Sequence, residues 1–193
     1  MVLYEVEQKF AFNATLLALF RANRGTPPFH RLQRLGTKKF EDVYFDSANK
    51  LSKNGLWVRK RNNTWEAKSG RSGNFLRTTF HETTDVSEIK TLVNKQVSSR
   101  SCGPDDNFGL DILCRYCTTR ESFVVDEKFA VVLDETDFGH SVGEVELTAR
   151  DEKSAHADID AFMEKYSWFF LQGGKPTGKI TAYFQRFGRA SIP

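Results

Sequence analysis

The chain has 193 residues, a formal net charge of +3, 39% hydrophobic and 27% charged residues. That is apolar enough for a packed core, and no run of 18 apolar residues is present to form a membrane-spanning helix. Lys and Arg number 28 against 25 Asp and Glu, too even a balance for bulk nucleic-acid binding, so neither nucleic acid nor membrane is expected as a partner. Cys102, Cys114 and Cys117 are too few and too odd for a disulfide scaffold, and the opening Met1-Val2-Leu3-Tyr4-Glu5-Val6-Glu7 puts acids where a signal peptide needs basic and apolar residues. A cytoplasmic protein is expected.

Residues 2–12 alternate. Val2, Tyr4, Val6, Phe10 and Phe12 share one strand face, and Glu5, Glu7 and Lys9 share the other. Asn13 predicts an N-cap for a short helix through Leu16, Leu17 and Phe20, and Asn23 to Pro28 predicts a loop. Strands are expected at 39–46, 55–61, 64–69 and 75–82, with Asn62-Asn63 as a hairpin turn. Trp57, Arg59 and Arg61 fall on one face of the second of these, and Glu66 and Lys68 share a face of the third. Asp85 and Glu88 predict a capping box ahead of a helix carrying Val86, Ile89, Leu92 and Val93. Residues 94–109 read as a mobile loop. Further strands are predicted at 110–120, 121–126, 129–136 and 141–149. A helix bearing Ala155, Ile159, Phe162, Met163 and Tyr166 follows, and the last helix bears Ile180, Tyr183, Phe184 and Phe187. No linker divides the chain, so residues 1–193 are expected to form one domain.

The charged strand faces carry the chemistry. Glu5 with Glu7 and Glu144 with Glu146 are carboxylate pairs at period two, and Arg59 with Arg61 is a guanidinium pair at the same spacing. Each pair repels itself unless an opposite charge lies nearby. The faces opposite them carry Val6, Phe10, Val58, Val145 and Leu147, which call for helices outside. The economical arrangement is an inverted barrel whose charged faces look inward on divalent cations and a polyanion.

These residues resemble a known family. Glu5-Val6-Glu7-Gln8-Lys9 matches the E-x-E-x-K signature of the CYTH, or triphosphate tunnel, enzymes. Tyr44-Phe45-Asp46, Leu56-Trp57-Val58-Arg59-Lys60-Arg61, Trp65-Glu66-Ala67-Lys68, Arg120 and Gly143-Glu144-Val145-Glu146 follow in the family's order. Asp137-Phe138-Gly139 and the tail from Gly178 to Phe187 are similar to the thiamine-triphosphatase branch. The resemblance implies an α+β fold, an eight-stranded antiparallel β-tunnel closed into a barrel with a polar lumen and flanking helices. It implies Mg²⁺-dependent hydrolysis of thiamine triphosphate to thiamine diphosphate and phosphate, with one or two Mg²⁺ ions, or Mn²⁺; separately, a monomer is expected.

Carried over residue by residue, Glu5, Glu7, Glu144 and Glu146 would bind metal. Lys9, Arg59, Arg61, Lys68, Arg120 and Lys179 would hold phosphate oxygens, and Trp57 would stack on the thiamine rings. Lys68, Glu7 and Glu146 would be the catalytic set. Glu82 follows Phe80 much as a family Glu follows an aromatic. The family's Asp in the strand before Asp-Phe-Gly falls near Val132 here, leaving Asp134 as the nearest candidate metal ligand. An inorganic triphosphatase, an adenylyl cyclase on the same fold and a non-catalytic polyphosphate-binding module are the alternatives. Cys114 and Cys117, three apart on a strand, face opposite ways and are expected to be ordinary thiols. The four His lack ligand spacing, and the basic set Arg21, Arg24, Arg31 and Arg34 suits a solvated surface or the tunnel mouth.

Overall fold

The structure, a computed structural model, describes residues 4–73, 77–97 and 102–188. Alternating sequence becomes eight strands: β1 Tyr4–Phe10, β2 Leu32–Asp46, β3 Leu56–Arg61, β4 Thr64–Gly73, β5 Arg77–Thr83, β6 Asp111–Val125, β7 Phe129–Thr136 and β8 Ser141–Ala149. They pair antiparallel in the order β1-β5-β4-β3-β2-β6-β7-β8, and β8 returns to β1 to close the ring. Closure leaves no free sheet edge. Asn62 and Asn63, both at positive φ (45° and 70°), make the β3–β4 turn, a conformation asparagine tolerates well.

A closed barrel has an inner and an outer face, and here the apolar face of each strand points out. Two clusters cover it, and a third packs the last helix onto lumen-facing aromatics at one end. Against β1, β6, β7 and β8 pack α1 (Ala14–Arg21), α4 (Glu152–Lys165) and α5 (Ser167–Phe170), burying Val6, Phe10, Phe123, Val131 and Val145 under Phe20, Phe162 and Phe169. Phe20 stacks on Phe169 with centroids 4.3 Å apart, and Phe129 on Phe162 at 4.0 Å. Against β2, β3 and β4 pack α2 (Lys50–Lys53), α3 (Val86–Gln96) and a 3-10 turn at Pro104–Gly109, burying Val43, Val58 and Trp65 with Ile89, Val93 and Phe108. At one end, α6 (Lys179–Phe187) lays Ile180, Tyr183 and Phe184 against Tyr44, Tyr116 and Phe138.

Several expectations change in detail. β2 starts at Leu32, seven residues before the predicted strand, because its first half pairs with β6 from Leu32–Val125 onward. The two strands expected at 110–126 are one, β6. The 94–109 loop is partly structured: α3 runs to Gln96, and Phe108 is buried against Trp65. Val2, residues 75–76 and residues 98–101 lie outside the described residues. Asn13 caps α1, accepting from the Leu16 N–H at 2.9 Å. Asp85 caps α3, accepting from the Ser87 and Glu88 N–H groups. The reciprocal half of the box is absent, since Glu88 turns to Thr83 and His81 and the Asp85 N–H donates to Thr83. Arg21 and Arg34 both grip Glu121 on the outer face of β6 and do not line the mouth of the lumen.

Candidate functional site: a charged lumen

Period two fixes which side chains enter the barrel. On β1 they are Glu5, Glu7 and Lys9; on β3 Trp57, Arg59 and Arg61; on β4 Glu66 and Lys68; on β8 Glu144 and Glu146. Register then brings them level: Glu7 lies opposite Glu146 and Lys9 opposite Glu144 across β1–β8, and Trp57 opposite Lys68 across β3–β4. Together with Glu82, Arg120 and Lys179 they line one cavity of about 730 Å³. The residues nominated from sequence therefore converge; Asp134 alone is outside the lining, covered by Arg120 and Lys179. Tyr44, Thr78, Phe80 and Tyr116 line it as well.

The charges sort into two groups. In the first, lysines and an arginine thread between acids. Lys68 Nζ contacts Glu5 at 3.3 Å, Glu7 at 3.6 Å and Glu82. Lys9 contacts Glu7 and, at 3.4 Å, Glu144. Arg120 reaches Glu144 at 3.4 Å and Glu146 at 3.6 Å. In the second group the β3 arginines have their own acids: Arg61 is bidentate to the fully buried Asp42 at 2.8 Å on both arms, and Arg59 grips Glu66 at 2.7–2.8 Å while donating to the Tyr44 hydroxyl at 3.0 Å. Asp42 is not among the residues expected from the sequence. The signal was there, since Phe40, Asp42 and Tyr44 share one face of β2 at period two.

Burial magnifies these interactions. It pushes the Glu5 carboxyl up to about 8, against the pull of Lys68, with Glu82 and Glu146 adding to the rise. Burial likewise lifts Glu146 to about 6, opposed by Arg120 and helped by Glu144. Glu144 is also buried, but Lys179, Lys9 and Arg120 outweigh desolvation and hold it well below the usual carboxylate range. For Lys9 and Lys68 desolvation favours the neutral amine, yet the surrounding acids win: Lys9 rises to about 12 and Lys68 higher still. Both lysines are charged at neutral pH.

The acids provide hard oxygen donors of the kind Mg²⁺ and Mn²⁺ prefer. Burial and acidic neighbours raise Glu5 and Glu146, the strain a divalent cation would relieve, so the donor set fits such an ion. Among the described residues no three acids stand close enough by themselves to form a ready cage; Lys9 and Lys68 lie between them. Cys114 and Cys117 do face opposite ways and are free thiols, with burial raising Cys114 to about 12. Three histidines are occupied elsewhere: His140 on the Thr177 carbonyl, His81 on Glu88 and His156 on Thr79.

The comparisons with known proteins agree with this geometry. Human thiamine-triphosphatase is 27% identical over 213 aligned residues, covering 96% of this chain and 86% of the human protein. The Macaca fascicularis thiamine-triphosphatase gives the same identity and coverage. Among solved structures, a Pyrococcus horikoshii protein superposes with a TM-score of 0.62 at 16% identity, over 94% of this chain and 99% of that one. A Hippeastrum protein studied as an adenylyl cyclase, and showing a dominant triphosphatase activity, gives 0.59 at 14% identity over 96% of each chain. At these identities the solved structures speak for the fold alone. The CYTH domain profile matches residues 3–174, and the chain belongs to the CYTH domain family.

Proposed function

We propose that this protein hydrolyses thiamine triphosphate to thiamine diphosphate and phosphate, with Mg²⁺ as its cofactor. The observation that carries this is the meeting of two carboxylate pairs, a set of cations and Trp57 in one cavity. A triphosphate brings roughly four negative charges, and its cleavage rests on positioning and charge neutralisation more than on covalent chemistry. Lys9, Lys68, Arg120 and Lys179 meet those charges inside a low-dielectric wall, where fixed donors need little reorganisation. Arg59 and Arg61 offer the guanidinium donors their acid partners leave free. Glu5, Glu7, Glu144 and Glu146 would hold the Mg²⁺, which when bound neutralises phosphate oxygens and polarises the scissile bond. Lys68, charged and in contact with Glu5, Glu7 and Glu82, is suited to hold the terminal phosphate. Glu7 and Glu146 complete the catalytic set. Trp57 lines the same cavity beside Arg59, a placement suited to stacking on a cationic thiazolium ring.

The thiamine-triphosphatase relatives support the substrate over others of the same charge. The discriminating experiment offers purified protein Mg²⁺ with thiamine triphosphate, tripolyphosphate or ATP, and measures phosphate, pyrophosphate and cyclic AMP. Phosphate released fastest from thiamine triphosphate is the expected result. Preference for tripolyphosphate would replace it with an inorganic triphosphatase, and cyclic AMP with a cyclase. Tripolyphosphate bound but never cleaved would leave a binding module.

A further inference from the structure

Asp134 stands apart from the other acids of the lumen. It is 0% exposed, and both its oxygens are already used. They accept from Arg120 Nε and Nη2 at 2.7 and 2.8 Å and from Lys179 Nζ. Arg120 faces it in register across β6–β7. Two residues earlier on the same inward face, Val132 pairs with Glu144. A carboxylate at 132 would join the Glu144–Glu146 group. At 134 it lies about 7 Å further along the strand and meets cations. Arg120 and Lys179 line the cavity and Asp134 does not, so a ligand would meet the cations from the front while Asp134 holds them from behind. Lys179 needs such a hold. It opens α6, which has no side-chain cap and no acid in its first turn, and a cation at a helix N-terminus is disfavoured by the dipole.

We propose that Asp134 is a positioning residue: it fixes Arg120 and Lys179 as one preset clamp for the phosphate chain and ties α6 to the barrel wall. This rests on the triphosphatase reading for its substrate class. Asp42 makes the same in-register, bidentate grip on Arg61, but of these two aspartates it is Asp134 that also joins its arginine to a cation from a helix. Without its charge, Arg120 and Lys179 repel each other in a largely buried site, and Lys179, on a nine-residue helix, is the one able to withdraw.

The test is Asp134→Asn, nearly isosteric and uncharged, alone and in a Lys179→Met background. Tripolyphosphate affinity is measured by calorimetry in EDTA, and KM and kcat with Mg²⁺. The expected result is affinity about tenfold weaker, with KM raised alike for tripolyphosphate and thiamine triphosphate and kcat changed less than about threefold. In the Lys179→Met background the same substitution should cost less than about threefold. A folded Asp134→Asn protein with wild-type affinity, or an equal loss in both backgrounds, would overturn the proposal. Should Asp134→Asn not fold, Asp134→Glu keeps the charge on a longer arm. It is expected to weaken affinity by about threefold or more, and wild-type affinity there would also overturn the proposal. Calorimetry separates this inference from the activity: a protein that binds tripolyphosphate and cleaves nothing sinks the enzyme reading but still tests Asp134. A wild-type protein that binds no tripolyphosphate sinks both.

Discussion

Lys68 touches three carboxylates, from β1 and β5, and stays charged although it is buried. A cation so placed is held ready for an anion by its acidic neighbours. Lys68→Ala is expected to lower kcat about a hundredfold or more while the circular dichroism spectrum stays that of the wild type. Near-normal turnover would remove Lys68 from the clamp. Trp57, half-buried on the cavity wall, is expected to act on the organic end of the substrate. Trp57→Ala should raise KM for thiamine triphosphate about tenfold, as the loss of a cation–π contact of about 1–2 kcal/mol predicts, and leave KM for tripolyphosphate nearly unchanged. Equal effects on both substrates would count against stacking. At this scale the lumen residues were legible because period two is a strong constraint: one inward residue fixes its neighbours two away. Who pairs with whom was not legible. Arg59 with Glu66 and Arg61 with Asp42 are cross-strand partnerships, and register depends on turns and bulges remote from either residue.

Strands and helices here are specified by contacts from other elements as much as by their own sequence. β8 passes so close beneath β1 that Gly143, opposite Phe10, has no room for a side chain: a Cβ there would lie 2.2 Å from the Phe10 ring. Gly143→Ala must push Phe10 out of its contacts with Phe169 and Phe170. It is expected to lose about 1–3 kcal/mol, read as a lower denaturant midpoint at unchanged slope. Wild-type stability would mean that β1 and β8 can separate freely at this point. The same dependence explains where local sequence misled. β6 looked like two strands because nothing local says that Arg120 and Glu121 continue one ladder; β2, fourteen paired positions long, enforces it. Glu88 resembled the return arm of a capping box, but Thr83 and His81, brought beside it by β5, are better partners. Helices α1, α3 and α4 were readable because their apolar stripes and Asn13 and Asp85 caps are local features.

The whole molecule sets the electrostatics. Closing the ring puts Glu5 and Glu146 in a buried, acid-rich space and raises both, to about 8 and about 6. A carboxyl with a raised folded pKa holds its proton better folded than unfolded, so the stability it lends is complete below the unfolded pKa and fades as pH rises through the folded one. Glu144 and Asp134 are lowered, and their contribution runs the other way, lost only as pH falls below the ordinary carboxylate range. In EDTA the melting temperature should therefore decline by a few degrees between about pH 5 and pH 8. Mg²⁺ should reduce that decline by stabilising the ionised acids, since a ligand that binds only the folded state raises its stability. A melting temperature that climbs steadily over this range, and ignores Mg²⁺, would contradict the description of these acids.

The most direct test is a crystal structure of the protein with Mn²⁺ and a non-hydrolysable triphosphate, the ion located by its anomalous signal. Manganese is expected among Glu5, Glu7, Glu144 and Glu146, and phosphate oxygens on Lys9, Lys68, Arg120 and Lys179. Ion and triphosphate bound outside the barrel, with these side chains still paired only to one another, would contradict it.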